Sequence, residues 1–228
     1  MKRAIESWAN FLNPEILRKN LIALSIFVNG YEVFKASVID RILEFYITGF
    51  DKRAKRHTED SSFDMFSASM RDSYMKGDWI ISNKYKTEVL SKSKKGKIDA
   101  SLKWLQENDV ISGDDYATCE EAHKLRNNIA HFMLDYISDP MRAPEVLKVY
   151  RKLVDLLHKI DKWFFDSELP LLADDINFDN ADIEGSFSMT ILILNLMAEI
   201  ALNPDSSESS QYYEEFIKMA GLDKSEER

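Results

Sequence analysis

Glu120-Glu121-Ala122-His123-Lys124-Leu125-Arg126-Asn127-Asn128-Ile129-Ala130-His131-Phe132 is the stretch on which the rest of the chain hangs. Ala122, Leu125, Ile129 and Phe132 follow one another at helical spacing, which predicts a helix with one apolar side turned to a core. At about 100° per residue, Asn127 stands roughly 200° and His131 roughly 240° from Leu125, on the side away from that core. Arg126 flanks them. A guanidinium, an amide and an imidazole on a non-core face suit the handling of phosphate: arginine grips phosphate oxygens through paired bonds, and imidazole moves protons near neutral pH.

Outward from this helix, the chain reads as helical almost throughout. Its 228 residues contain seven Gly and five Pro, few turn-formers for long stretches of 3.6-residue periodicity with little strict alternation. Asn13-Pro14-Glu15 has the form of a helix start, with a capping amide, a proline at the first helical position and an acid in the first turn. Leu17, Leu21, Leu24, Val28, Tyr31, Val38, Ile42 and Phe45, widened by Phe27, Phe34, Ile39 and Tyr46, predict a long central helix. Gly30 inside it marks a close contact or a kink, and Glu32 reads as a solvated charge.

Ile98 to Val110 is a helix, and Ser112 with Asp115 forms a capping-box pattern that starts the motif helix. Two helices and a Gly-containing turn could also read DNA. The first turns of the second helix, however, carry Asp114, Asp115, Glu120 and Glu121, with no basic residue before Lys124. Arg142 to Phe165 is amphipathic through Val146, Tyr150, Leu153, Leu157 and Ile160, with Trp163, Phe164 and Phe165 closing it before Pro170. Phe187 to Leu202 is an apolar helix that must bury Phe187, Ile191, Leu194 and Ile200, and a last helix carries Tyr212, Tyr213, Phe216 and Ile217 up to Gly221. Residues 65–90 have no clean period and are read as one or two short helices. The expected fold is therefore all-α, an antiparallel helical bundle over residues 1–166 with an acidic helical C-terminal extension, 167–228, packed on it.

The net charge of −9 is unevenly distributed: residues 1–100 are net +5, residues 101–165 net −2 and residues 166–228 net −12. Segregated charge lets an acidic protein present a basic surface. Lys92, Lys94, Lys95 and Lys97, preceded by Lys84 and Lys86, make the most basic stretch, read either as a solvated loop or as a contact to an RNA backbone. A second basic run is Lys52-Arg53-Ala54-Lys55-Arg56-His57. The single cysteine excludes an internal disulfide, and the first residues lack the apolar run of a signal peptide, so the cytoplasm is the expected location. The most apolar segment, Met189 to Leu202, is short for a bilayer span, and no membrane association is expected. Cys119, His123, Asn127 and His131 recur every fourth residue, but His123 and His131 lie about 12 Å apart along a helix and cannot share an ion. Neither a metal nor a cofactor is expected, and His123 reads as a polar residue on the outward face.

Arg126-Asn127-Asn128-Ile129-Ala130-His131 resembles the R-x4-6-H motif of the HEPN superfamily (higher eukaryotes and prokaryotes nucleotide-binding), in which Asn, Asp or His commonly follows the Arg. Arg151 and His158 meet the looser spacing too, but Lys152 follows that Arg, and both border the apolar stripe of their helix. The resemblance implies an all-helical, dimeric, metal-independent endoribonuclease, in a toxin–antitoxin or antiviral defence setting, with Arg126, Asn127 and His131 as catalytic residues. It also implies RNA as substrate and an antitoxin or regulatory protein as a further partner. In one subgroup a Tyr two residues after the His accompanies a nucleotidyltransferase antitoxin; here that place is Met133, with Tyr136 one turn further. The alternative is a non-catalytic helical domain that binds RNA or a protein, in which Arg126 and Asn127 bridge helices and His131 is a surface histidine.

Overall fold

The computed structural model describes residues 8–50, 79–172 and 188–203, together with Gln211 and Glu214. Among them the protein is all-α apart from a two-stranded antiparallel sheet. Helix α1 spans Pro14–Phe45 and begins as its sequence predicts: the Asn13 Oδ1 accepts from the backbone N–H groups of Glu15 at 3.0 Å and Ile16 at 3.4 Å. Two of the otherwise orphaned donors of the first turn are thereby satisfied. By length and composition α1 could cross a membrane, but Ala23, Leu24, Phe27, Tyr31, Phe34, Val38 and Ile42 are buried within the protein, the pattern of a core helix. Leu21 and Phe45, expected on that face, are exposed.

The chain forms two compact units, Met1–Phe34 with Ser112–Arg228, and Lys35–Ile111. In the second, β1 (Ile47–Phe50) pairs antiparallel with β2 (Trp79–Ile81), where the sequence predicts short helices. A π-helical turn (Tyr85–Val89) and a 3-10 turn (Leu90–Lys92) lead to α2 (Lys97–Glu107). Around these, Tyr46 packs against Tyr85 and Trp104, and the Tyr46 hydroxyl donates to Glu88 at 2.9 Å.

In the first unit, α3 (Gly113–His131) carries the motif, followed by α4 (Met133–Ser138), α5 (Arg142–Leu172) and α6 (Met189–Leu202). The capping box is present: the Ser112 hydroxyl accepts from the Asp115 N–H at 3.1 Å, and the Asp115 carboxylate accepts from the Ser112 N–H at 2.8 Å. Lys159 pairs with Asp115 at 2.7 Å and Lys152 with Glu121 at 3.0 Å. Partner numbers fall along α5 as they rise along α3, so these two helices are antiparallel. The stripe Val146, Tyr150, Leu153, Leu157 and Ile160 is buried as expected. The helix nevertheless runs on through Pro170, where the lost N–H falls in the last turn and costs a single intrahelical bond.

Gly30 resolves as a close contact. A Cβ there would stand 2.9 Å from Tyr150 Cδ2 and nearer still to Cε2. The Tyr150 hydroxyl donates to the Leu194 carbonyl at 2.7 Å, tying α5 to α6. On α6, Ile191 and Leu194 are buried but Ile200 is 44% exposed, contrary to expectation. Asn20 is buried on α1 and its Nδ2 donates to the carbonyls of Ile137 at 2.7 Å and Asp139 at 2.9 Å. It thereby caps the C-terminal end of α4, whose last carbonyls have no helical partner. The compact units break at 34/35 and 111/112, and α6, beyond residue 166, belongs with the motif helix. The basic run 52–57, the acidic residues 174–184, Phe187 and the helix expected around Tyr212 to Gly221 lie outside the described residues, apart from Gln211 and Glu214.

Candidate functional site

The motif helix buries Cys119, Ala122 and Ile129, while Leu125 is half-buried and Phe132 is 56% exposed. The buried line is thus rotated from the expected one. Phe132 drops off it because the helix ends there: its φ of −126° and ψ of 35° turn the chain into α4. Arg126 consequently sits over the buried line and reaches α1.

Its guanidinium makes two contacts. Arg126 Nη2 pairs with Glu32 Oε1 at 3.1 Å, and Nη1 donates to Asn127 Oδ1 at 3.4 Å. Glu32 thus pairs with Arg126 while remaining solvated, as its position in α1 predicts. Both side chains are about two-fifths exposed, so the pair is screened and adds little to stability. What it does is hold a cation at the protein surface with several N–H donors left over.

Asn127 reaches back along α3, away from His131. Its Nδ2 lies 3.1 Å from His123 Nε2, one turn before it, instead of bonding His131. His123 is exposed, as its outward position predicts, and in turn meets the Tyr31 hydroxyl through Nδ1 at 2.8 Å, so it is also engaged within the chain. Tyr31 is buried, which pushes its phenol up to about 12, with the Glu32 carboxylate adding to the shift and Arg126 opposing it. The spacing of His123 and Asn127, four residues apart, carried a signal for their contact; the convergence of Tyr31 and Glu32 from α1 is tertiary.

His131 is exposed, stacks edge-on near Phe132 and makes no hydrogen bond or ion pair with the described residues. It is followed by Phe132, Met133 and Leu134, all largely exposed, an apolar surface directly beside the imidazole. Five residues separate Arg126 from His131, about 7.5 Å along the axis and about 140° around it, so the two diverge on one helix. Cys119 lies beneath as a buried thiol, pushed up to about 12 by burial and by Asp115, and is inert as a nucleophile.

Of the lysines expected to touch RNA, Lys94, Lys95 and Lys97 are exposed, while Lys92 is half-buried and pairs with Glu107. Lys92 ends the 3-10 turn and Lys97 starts α2, while Lys94 and Lys95 lie in the exposed loop between them, as the loop reading expects. A groove of about 640 Å³ runs between α3 and α5, lined by Glu120, Glu121, Lys124, Glu145, Lys148 and Lys152 among others. It contains none of Arg126, Asn127 or His131, and its evenly mixed charges do not make an anion site. Comparisons with family models, curated proteins and solved structures find no match to this chain.

Proposed function

We propose that the protein is a metal-independent endoribonuclease of HEPN type. The observation that carries the reading is the surface cluster on α3 in which Arg126 is held by Glu32 and Asn127, with His131, exposed and unpaired among the described residues, little more than one turn further on. RNA supplies its own nucleophile. His131 takes the proton from a ribose 2′-hydroxyl, and the oxygen attacks the adjacent phosphorus. The 5′-oxygen then leaves, taking the proton that the imidazole now carries, to give a 2′,3′-cyclic phosphate and a 5′-hydroxyl. Arg126 stabilises the charge that gathers on the phosphorane oxygens, and Asn127 bonds the phosphate beside it.

Because Arg126 and His131 diverge on their helix, the active unit is a two-fold dimer in which a second copy closes the cleft. The exposed Phe132, Met133 and Leu134 supply an apolar surface at that place. In the toxin or defence setting that the resemblance implies, an antitoxin or other regulatory protein would cover the same cleft. The competing reading, a non-catalytic helical domain binding RNA or protein, draws on the Arg126–Glu32 pair, which joins α3 to α1 as a structural bridge would.

Incubation with total RNA in EDTA, followed by analysis of the ends, separates the two. Cleavage that persists in EDTA, leaves cyclic phosphates and falls by about 10²-fold or more in both Arg126→Ala and His131→Ala, with circular dichroism unchanged, supports the ribonuclease. His131→Ala cutting at the parent's rate removes the catalytic assignment.

A further inference from the structure

Arg126, Asn127, His123 and Tyr31 form one continuous hydrogen-bonded line, and its direction follows from donor chemistry alone. A guanidinium has only donors, so the amide atom facing Arg126 Nη1 at 3.4 Å must be the oxygen. The amide nitrogen then faces the imidazole at 3.1 Å, and being a donor it requires a lone pair on His123 Nε2. A neutral imidazole has one donor and one acceptor, which leaves its hydrogen on Nδ1, pointed at the Tyr31 oxygen 2.8 Å away. Reversing the line would bring the amide NH₂ against the guanidinium, donor against donor. Tyr31 closes the far end as a buried phenol that stays neutral through the physiological range, since burial pushes it up to about 12.

We propose that His123 and Tyr31 are positioning residues: the Nδ1–H form of His123, held by the Tyr31 oxygen, keeps the Asn127 amide with its oxygen on Arg126 and one N–H uncommitted for a phosphate oxygen of RNA. The phosphate half of this statement rests on the ribonuclease reading; the polarity of the line does not. Without the imidazole the amide is held only by the 3.4 Å bond from Arg126 and rotates about its last bond more readily, so that an oxygen that repels the phosphate replaces the N–H part of the time. Neither residue touches the reacting atoms. Their effect is on how often the Arg126–Asn127 pair is ready, which lowers kcat and leaves substrate affinity nearly unchanged.

The test has two arms. In the first, long-range ¹H–¹⁵N NMR of the full chain with labelled histidine, His123 assigned through His123→Gln, reads which ring nitrogen carries the hydrogen. The Nδ1–H form is expected in the parent, reverting in Tyr31→Phe toward the Nε2–H form that free imidazole prefers. An Nε2–H parent overturns the proposal. The second arm measures RNA cleavage. His123→Gln sets an amide oxygen where the Nε2 lone pair stands and should keep kcat within about threefold, whereas His123→Leu should lose about tenfold in kcat with little change in KM. His123→Leu with the parent's kcat also overturns it. A parent chain that cleaves no RNA defeats the ribonuclease reading alone, and the tautomer measurement still decides whether the line is built as argued.

Discussion

Replacing Gly30 by Ala sets two effects of opposite sign against each other. In the interior of a helix Ala is favoured over Gly by about 1 kcal/mol, so propensity alone predicts a more stable protein. Packing predicts the reverse. The new methyl would overlap the Tyr150 ring, 2.9 Å from Cδ2 and closer to Cε2, where ordinary contact needs about 3.5–4 Å. The ring has little freedom to withdraw, because it is 4% exposed and its hydroxyl is bound to the Leu194 carbonyl at 2.7 Å. Overpacking of a pinned core site costs about 2–3 kcal/mol, so the net loss is about 1–2 kcal/mol. For a chain of this length that lowers Tm by about 3–6 °C, measured by circular dichroism. Tyr150→Phe releases the ring, and in that background Gly30→Ala should cost under about 1 kcal/mol. If Gly30→Ala raises Tm in the parent, the close approach of α1 to α5 is wrong as described.

Further outcomes follow from individual contacts. Asn20→Ala removes the side-chain donor from the Ile137 carbonyl, while the Asp139 carbonyl keeps the Arg142 N–H, and should cost about 1–3 kcal/mol in urea unfolding, whereas Ser112→Ala, an exposed cap, should cost about 1 kcal/mol. Burial pushes the Asp115 carboxyl upward, but the Lys159 and Ser112 bonds outweigh it and hold the group below its ordinary value of 3.8. A carboxyl lower in the folded than the unfolded chain stabilises fully above that ordinary value and loses its contribution as pH falls through the folded one. Asp115→Asn should therefore flatten the acid limb of the stability curve below about pH 4, and an unchanged limb would count against the pairing. Arg126→Lys keeps the charge but cannot hold Glu32, Asn127 and a phosphate at once, so cleavage should drop about 10²-fold. If the lysines contact RNA, replacing exposed Lys94 and Lys97 by Ala should reduce the slope of log K against log salt by about 1.4 for a single strand, and an unchanged slope would remove them from the interface.

Where a structural decision is local, the sequence announces it. Asn13-Pro14 and Ser112 with Asp115 mark their helix starts because capping is settled within three residues. The stripe from Val146 to Ile160 is legible because a helix repeats its buried face. The strand pair Ile47–Phe50 with Trp79–Ile81 is not, since strands of four and three residues are too short to display alternation. Phe132 fails as a core residue because the helix that would have aimed it inward has already ended. At the site, Arg126, Asn127 and His131 stand out by spacing on one helix, yet what holds Arg126 is Glu32, 94 positions earlier. His123 is legible as a polar residue on the outward face, but its partner Tyr31 comes from another element, and no periodicity encodes which two faces meet.

The lysine pairs between α3 and α5 also settle which of several alignments these helices adopt. Suppose α5 slides by one turn so that Asp115 meets the residue four before Lys159; it then faces Asp155, acid against acid. Slide it three residues the other way, and Glu121, leaving Lys152, faces the same Asp155. Exposed and midway between the two lysines, Asp155 is compatible with the observed register and repelled in both neighbouring ones. Each mismatch costs only about 0.2–1 kcal/mol at the surface. In each slip the other acid meets a new lysine, Glu121 facing Lys148 or Asp115 facing Lys162, so one attractive pair is exchanged for one repulsive contact and it is Asp155 that tells the registers apart.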